Sequence, residues 1–181
     1  MLSESEELRI LDYEVRPAAV LPWDPRSIDV AKRLIAGIQR EAPDVSIEHI
    51  GSTAVPGCDG KGVIDLMLIY PPGGLDDARS MADRLGFQRW EAPGAHPESR
   101  PVRIGAIEHD GTIFRIHLHL IAPDSEEIAQ QRRFRDRLRS DPRLVADYIA
   151  KKREIIEQGI TWGPSFGEAK SDFIRRARGD L

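Results

Sequence analysis

The sequence predicts a mixed α/β chain of the α+β kind: a mixed sheet flanked by helices, with a helical C-terminal segment. Three observations carry this reading. Residues 45–50 alternate apolar and polar, and residues 63–70 are apolar but for one aspartate, so both have strand character. Asp110-Gly111 stands between two β-rich runs, 102–108 and 112–121, which is a strong short-range sign of a β-hairpin. After Pro123 helical spacing runs to the end, in segments 124–140, 142–158 and 165–178. Strands mixed with helices, then a hairpin, then helices alone do not make a regular doubly wound sheet.

The elements follow in order. Residues 1–7 are acidic and polar and are expected to be frayed. Residues 8–15 read as a short strand. Trp23-Asp24-Pro25-Arg26-Ser27 reads as a turn, with Ser27 near a helix N-cap. Val30, Leu34, Ile35 and Ile38 give the following helix its apolar stripe, and Pro43 lies past its end. Residues 51–60 are turn-rich. Pro71-Pro72-Gly73-Gly74 stops the 63–70 strand, and 75–86 reads as a helix closed by Gly86. Pro93, Gly94 and Pro97 mark 91–100 as a mobile loop.

A chain of 181 residues is long enough to bury a sizeable core and is read as a single domain over 1–181. With 40% hydrophobic and 31% charged residues it has the composition of a soluble globular protein. Asp65 breaks the longest apolar run, so no membrane span is expected, and the acidic start is not expected to act as a secretory leader. One cysteine, Cys58, excludes an internal disulfide framework and points to a reducing cytoplasm. A net charge of −4 argues against general nucleic-acid binding but leaves room for a local basic pocket.

Several residue groups could carry chemistry. Gly51-Ser52 ends a strand and can offer backbone N–H groups and a hydroxyl to a phosphate. Asp65 lies among apolar neighbours on the next strand, where a carboxylate needs hydrogen bonds or a cation such as Mg²⁺. The plainer reading is a turn and an aspartate bonded to nearby backbone. His117 and His119 face the same way on a strand and could bind a metal, share a proton or contact a phosphate, or simply line a half-exposed face. His49 reads first as a structural histidine. Arg132, Arg135 and Arg139 share one helix face and could clasp a polyphosphate, or pair with Asp136, Glu126 or Glu127. Lys61, in a glycine-flanked loop, could neutralise a phosphate.

Together these segments resemble the GrpB family of the nucleotidyltransferase-fold superfamily. Ile47-Glu48-His49-Ile50-Gly51-Ser52-Thr53-Ala54-Val55-Pro56-Gly57 looks like the family hallmark. Lys61, Ile64-Asp65, His117-Leu118-His119-Leu120, Phe134-Arg135-Asp136, Leu138-Arg139, Tyr148, Lys152, Glu168-Ala169-Lys170 and Phe173-Ile174 follow in the family's order, so the likeness covers roughly residues 20–177.

The resemblance implies metal-dependent transfer of a nucleotidyl group from a nucleoside triphosphate to an unknown acceptor. Gly51, Ser52 and Thr53 would cradle phosphates and Lys61 would neutralise charge. Arg135 would clamp the triphosphate, and Asp65 would hold the metal with His117 or His119. The metal would be Mg²⁺ or Mn²⁺, with Zn²⁺ as a further candidate. The chain departs from the active pattern at Met67, where a second acid is expected, and at His117 and His119, where a third would lie. Ser27 and Ile116 also differ from common family residues. A decayed module that binds a nucleotide or a coenzyme-A-type ligand is the alternative, because GrpB-like domains occur fused to a dephospho-coenzyme A kinase.

Overall fold

The computed structural model describes residues 8–91 and 93–180, so the expected fraying of 1–7 falls outside the described residues. The first helix, α1 (Arg26–Glu41), begins where Pro25 fixes the backbone. Its start is held by Asp24, whose carboxylate accepts the Arg26 N–H at 2.9 Å. Ser27 lies inside the helix and is buried, so Asp24 takes the role expected of Ser27. Next come β1 (Ser46–Ile50), a single 3₁₀ turn (Ser52–Ala54), β2 (Val63–Ile69) and α2 (Leu75–Arg84). Then follow β3 (Gln88–Arg89), β4 (Val102–His109) and β5 (Thr112–Ile121), and the helices α3 (Glu126–Ser140) and α4 (Pro142–Glu157). The last two helices are α5 (Gly163–Ala169) and α6 (Ser171–Arg178).

The five strands form one mixed sheet in the order β1-β2-β5-β4-β3. Only β2 and β5 run parallel; the other neighbours are antiparallel. The expected Asp-Gly hairpin joins β4 to β5, with Asp110 at φ 48° and Gly111 at φ 72°. Left-handed backbone at both positions matches the twist of the flanking strands, and Asp and Gly tolerate it best. Residues 8–15 do not form a strand. Leu11 makes one two-bond bridge to Ala106, and Leu8 and Ile10 pack on the core beside it. The chain then leaves the sheet edge, because the Tyr13 N–H turns to the Gln88 side chain at 3.0 Å. The helix expected over 165–178 is two helices meeting at Lys170.

Alternation along β2 and β5 divides the sheet into two faces. Ile64, Leu66 and Leu68, with Ile116, Leu118 and Leu120, pack against Val30, Leu34 and Ile38 of α1 and Met81 of α2 in the main core. The opposite face carries Asp65 and Met67 on β2 and Arg115, His117 and His119 on β5. Over that face lie the C-terminal helices, packed through Phe134, Leu138, Tyr148 and Cys58 in one cluster and Ile155, Phe166 and Ala18 in another. The sheet's second face and these helices bound the cavity described next. No helix of the described residues is long and apolar enough to cross a membrane.

Candidate functional site

The parallel register of β2 and β5 sets Asp65 directly beside His117, and His119 lies two residues on along the same face. Asp65 Oδ1 is 3.4 Å from His117 Nδ1 and 3.3 Å from His119 Nε2. One ligand atom from each residue falls within 4.8 Å of the others, close enough to share one cation. Burial pushes the Asp65 carboxyl up in pKa. Hydrogen bonds and charge from the two imidazoles more than offset this and hold it well below the usual carboxylate range. Burial pushes the His117 imidazole down, against the pull of Asp65. A carboxylate with uncharged imidazole nitrogen is a donor set for a divalent metal, and it suits Mn²⁺ or Zn²⁺ better than Mg²⁺.

Gly51 makes room for that carboxylate. Its φ is +72°, and a Cβ there would sit 2.6 Å from Asp65 Oδ2. Glycine is thus required twice, for the left-handed backbone and for the close approach.

Each histidine is oriented from behind. The Tyr13 hydroxyl lies 3.0 Å from His117 Nε2, leaving Nδ1 to face Asp65. Arg100 Nη2 donates to His119 Nδ1 at 3.3 Å, and Arg100 is itself ion-paired to Glu127 at the start of α3. Arg100 and Glu98 also tether the second half of the 91–100 loop, because Glu98 accepts from the fully buried Arg103 at 2.9 Å.

Across the cavity stand three lysines. Lys152 of α4 is 2% exposed; it donates to the Asp59 carbonyl, approaches Cys58 Sγ at 3.6 Å and lies 4.3 Å from the centroid of the Tyr148 ring. Lys170, at the α5–α6 junction, reaches the Tyr148 hydroxyl at 3.3 Å. Lys61 and Lys170 sit 5.6 and 5.3 Å from the centroid of the Phe166 ring. Burial lowers all three pKa values, to about 8 for Lys61 and Lys152. None of the three has a carboxylate within ion-pair distance among the described residues. Ser52 and Lys152 converge on Gly60, where a Cβ would meet Ser52 Oγ at 2.8 Å and Lys152 Nζ at 3.2 Å. Lys152 is buried and Lys61 and Lys170 are half-buried; ammonium groups so placed without acidic partners are costly, and an anion in the cavity would relieve that cost. The cavity is about 470 Å³, within the range that encloses a small organic ligand.

Of the residues singled out in the sequence, Ser52, Lys61, Asp65, His117 and His119 line this cavity. Thr53 and His49 lie beneath it. The Thr53 hydroxyl donates to the Val63 carbonyl at 3.0 Å, so His49 Nε2 must donate to Thr53 Oγ1 at 2.9 Å. Burial lowers the His49 pKa to about 4. Arg135 does not line the cavity, and its guanidinium is already committed. It bonds Glu48 Oε2 at 2.9 Å, the His49 carbonyl at 3.2 Å and Asp136 at 2.8 Å. Arg132 also holds Glu48, at 2.7 Å, and Arg139 donates to the Ala54 carbonyl at 2.9 Å. The arginine face thus fastens β1 and the 3₁₀ turn to α3, and its acidic partners are Glu48 and Asp136 rather than Glu126 or Glu127. Met67, where the resemblance led to the expectation of a second acid, is fully buried among Ile50, Ile121 and Ile128.

Tyr13 and Arg100 carried no signal in the sequence, being isolated residues far from the motifs, whereas Arg115 stands two residues before His117 on the same strand face. Lys152 did carry one. It shares the buried stripe of α4 with Tyr148 and Ile155, and a lysine on an apolar helix face is a mark of something to neutralise.

A family model described as "GrpB protein" matches residues 17–179. A UPF0157 protein of Streptomyces coelicolor is 27% identical over 171 residues, covering 94% of this chain and 82% of that protein. Another, of Pseudomonas aeruginosa, is 33% identical over 140 residues, covering 76% of this chain. The match spans about half of that longer relative, 55% of its length. The crystal structure of the conserved protein GrpB from Enterococcus faecalis superposes with a TM-score of 0.69 at 20% identity, over 90% of this chain and 96% of that one. A Cid1 poly(U) polymerase bound to MgATP gives a TM-score of 0.55 at 12% identity, covering 82% of this chain and 50% of that one. At such identities the likeness is one of fold, and the fold is nucleotidyltransferase-like.

Proposed function

We propose that this chain, which belongs to the GrpB family, binds a nucleotide with one divalent metal and transfers its nucleotidyl group to a small acceptor in a reducing cytoplasm. The observation that carries this reading is the three lysines without acidic partners, facing a carboxylate and two imidazoles across one cavity. Asp65, His117 and His119 would hold the metal, with Mn²⁺ or Zn²⁺ favoured over Mg²⁺ by the imidazoles. Ser52, Lys61, Lys152 and Lys170 would take the phosphates, while Gly51 and Thr53 shape the turn beside them. Arg135 would act at one remove, by holding Glu48 and the His49 carbonyl in place.

When bound, the metal would supply charge neutralisation at the phosphates. The chain's own part is to align the triphosphate between the lysines and the metal ligands and to keep water out. An acceptor oxygen would bond to the α-phosphorus, the bond to pyrophosphate would break, and the lysines would stabilise the departing charge. Support for transfer chemistry comes from the fold shared with the Cid1 poly(U) polymerase bound to MgATP and with mtPAP in complex with GTP (the latter with a TM-score of 0.53).

Pyrophosphate release from each nucleoside triphosphate, with Mn²⁺ and a panel of hydroxyl and amine acceptors, tests the reading. Activity lost in Asp65→Asn and Lys152→Met supports it. Metal-dependent binding without release in any combination would favour a second reading, a nucleotide- or coenzyme-A-binding module. Met67 is what favours that second reading, because it leaves the β2 strand with one carboxylate.

A further inference from the structure

Trp90 follows β3 directly, and Trp162 stands just before α5. They come from opposite sides of the cavity and meet across it, with ring centroids 6.1 Å apart and planes tilted by 41°. Trp90 also meets Tyr13 edge-on at 5.9 Å and lies 6.4 Å from the His117 ring. Both indoles line the cavity, together with Val15.

Their burial is incomplete. Trp162 is 40% exposed and Val15 is 55% exposed. Neither indole N–H has a hydrogen-bond partner among the described residues. A large aromatic surface left open above a charged site costs stability unless something covers it. The segment around Trp90 is pressed against the start of α5. A Cβ on Gly94, where φ is +82°, would sit 2.8 Å from Pro164 Cβ. The two tryptophans thus stand on segments that approach each other closely, and their rings are in contact.

We infer that Trp90 and Trp162 form the subsite for the planar aromatic ring of the ligand, which makes the ligand a nucleoside polyphosphate rather than a phosphorylated sugar or inorganic polyphosphate. This rests on the phosphate-and-metal reading above and adds a second point of recognition to it. Trp90 adjoins His117, Lys152 meets Ser52 at Gly60, and Lys61 and Lys170 stand over Phe166. Asp65, Lys61, Lys152 and Lys170 line the same cavity as the two indoles, so one nucleotide could place its ring at the tryptophans and its phosphates at the lysines. Stacking recognises a ring by its face rather than its edge, so discrimination among bases is by area, with purines ahead of pyrimidines.

The test compares ATP with inorganic tripolyphosphate, each with Mn²⁺, on the full chain, Trp162→Ala and Trp162→Phe. Calorimetry gives affinities, and tryptophan fluorescence reports the ring. Trp23 is a constant background, its indole N–H bonded to the Thr53 carbonyl at 3.1 Å. ATP is expected to bind about tenfold tighter than tripolyphosphate and to quench fluorescence. Trp162→Ala is expected to remove that advantage while leaving tripolyphosphate binding as it was, and Trp162→Phe to restore most of it. Equal binding of ATP and tripolyphosphate by the wild type overturns the subsite and leaves the phosphate reading standing. So does an equal loss of both ligands in Trp162→Ala. Binding of neither ligand overturns both.

Discussion

Arg100 Nη2 lies 3.3 Å from His119 Nδ1, and a guanidinium can only donate, so Nδ1 must accept. The proton of the uncharged imidazole is then on Nε2, which faces Asp65 Oδ1 at 3.3 Å. A metal at Nε2 needs that nitrogen unprotonated and the proton moved to Nδ1, where it would meet the Arg100 donor. Arg100 and a metal therefore compete for one tautomer of His119.

Arg100→Ala is expected to bind Mn²⁺ several-fold to about tenfold more tightly than the wild type, the size of one hydrogen bond at roughly 1 kcal/mol. Calorimetric titration with Mn²⁺ checks this. Unchanged or weaker binding would show that Arg100 instead supports the metal-bound form.

Gly51→Ala is expected to lose metal binding and to destabilise the fold by about 3 kcal/mol. About 1–2 kcal/mol of this comes from left-handed backbone. The rest comes from driving a methyl into Asp65, 2.6 Å away. Gly57→Ala separates the two contributions. It has φ +76° with open space around it, so only the backbone part should appear, with metal binding kept. Urea unfolding of both variants decides the matter.

Much of this arrangement was legible in the sequence. Alternation placed β1, an apolar run placed β2, Asp110-Gly111 placed the β4–β5 hairpin, an apolar stripe placed α1, and the stop at Gly86 closed α2. Asp65 stood out because a carboxylate interrupts an apolar run, and His117 and His119 because an i, i+2 pair shares a strand face. What did not show was long-range. The Asp65–His117 pairing depends on β2 lying parallel to β5, with some fifty residues between them. Tyr13 and Arg100 reach the histidines from segments with no periodicity. The resemblance implied a triphosphate clamp at Arg135, and helix spacing, which left a polyphosphate clasp and an ion-paired face both open, cannot reveal that Glu48 lies opposite it on a different element.

His49 gives the fold a pH dependence. Its ordinary value of 6.5 falls to about 4 in the folded chain, so the unfolded chain binds the proton more readily between those limits. Stability is therefore full above pH 6.5 and falls as the pH drops toward 4. His49→Gln keeps a donor toward Thr53 but cannot titrate. Its unfolding free energy should change less between pH 7 and pH 5 than the wild type's, by on the order of 1–2 kcal/mol. Parallel slopes in chemical denaturation would contradict this.

Restoring an acid at Met67 should not restore a two-metal site. The side chain is 0% exposed among isoleucines, and an aspartate there would be charged, buried and unpaired. Met67→Asp is expected to cost about 3–5 kcal/mol. Met67→Leu should cost less than about 1.5 kcal/mol. Thermal unfolding of the pair checks this ordering, and a stable Met67→Asp that binds a second Mn²⁺ would contradict it.

The most direct measurement is the unfolding midpoint of the wild type and Asp65→Asn with ATP, run with Mn²⁺ and with EDTA. A ligand at a hundred times its Kd adds about 2.7 kcal/mol, or roughly 5–10 °C for a chain of this size. The wild type is expected to rise by that much with ATP and Mn²⁺ together, to rise far less with EDTA, and to lose the effect in Asp65→Asn. A wild type that ATP leaves unmoved with Mn²⁺, or a rise that Asp65→Asn keeps in full, would contradict a metal–nucleotide site at Asp65.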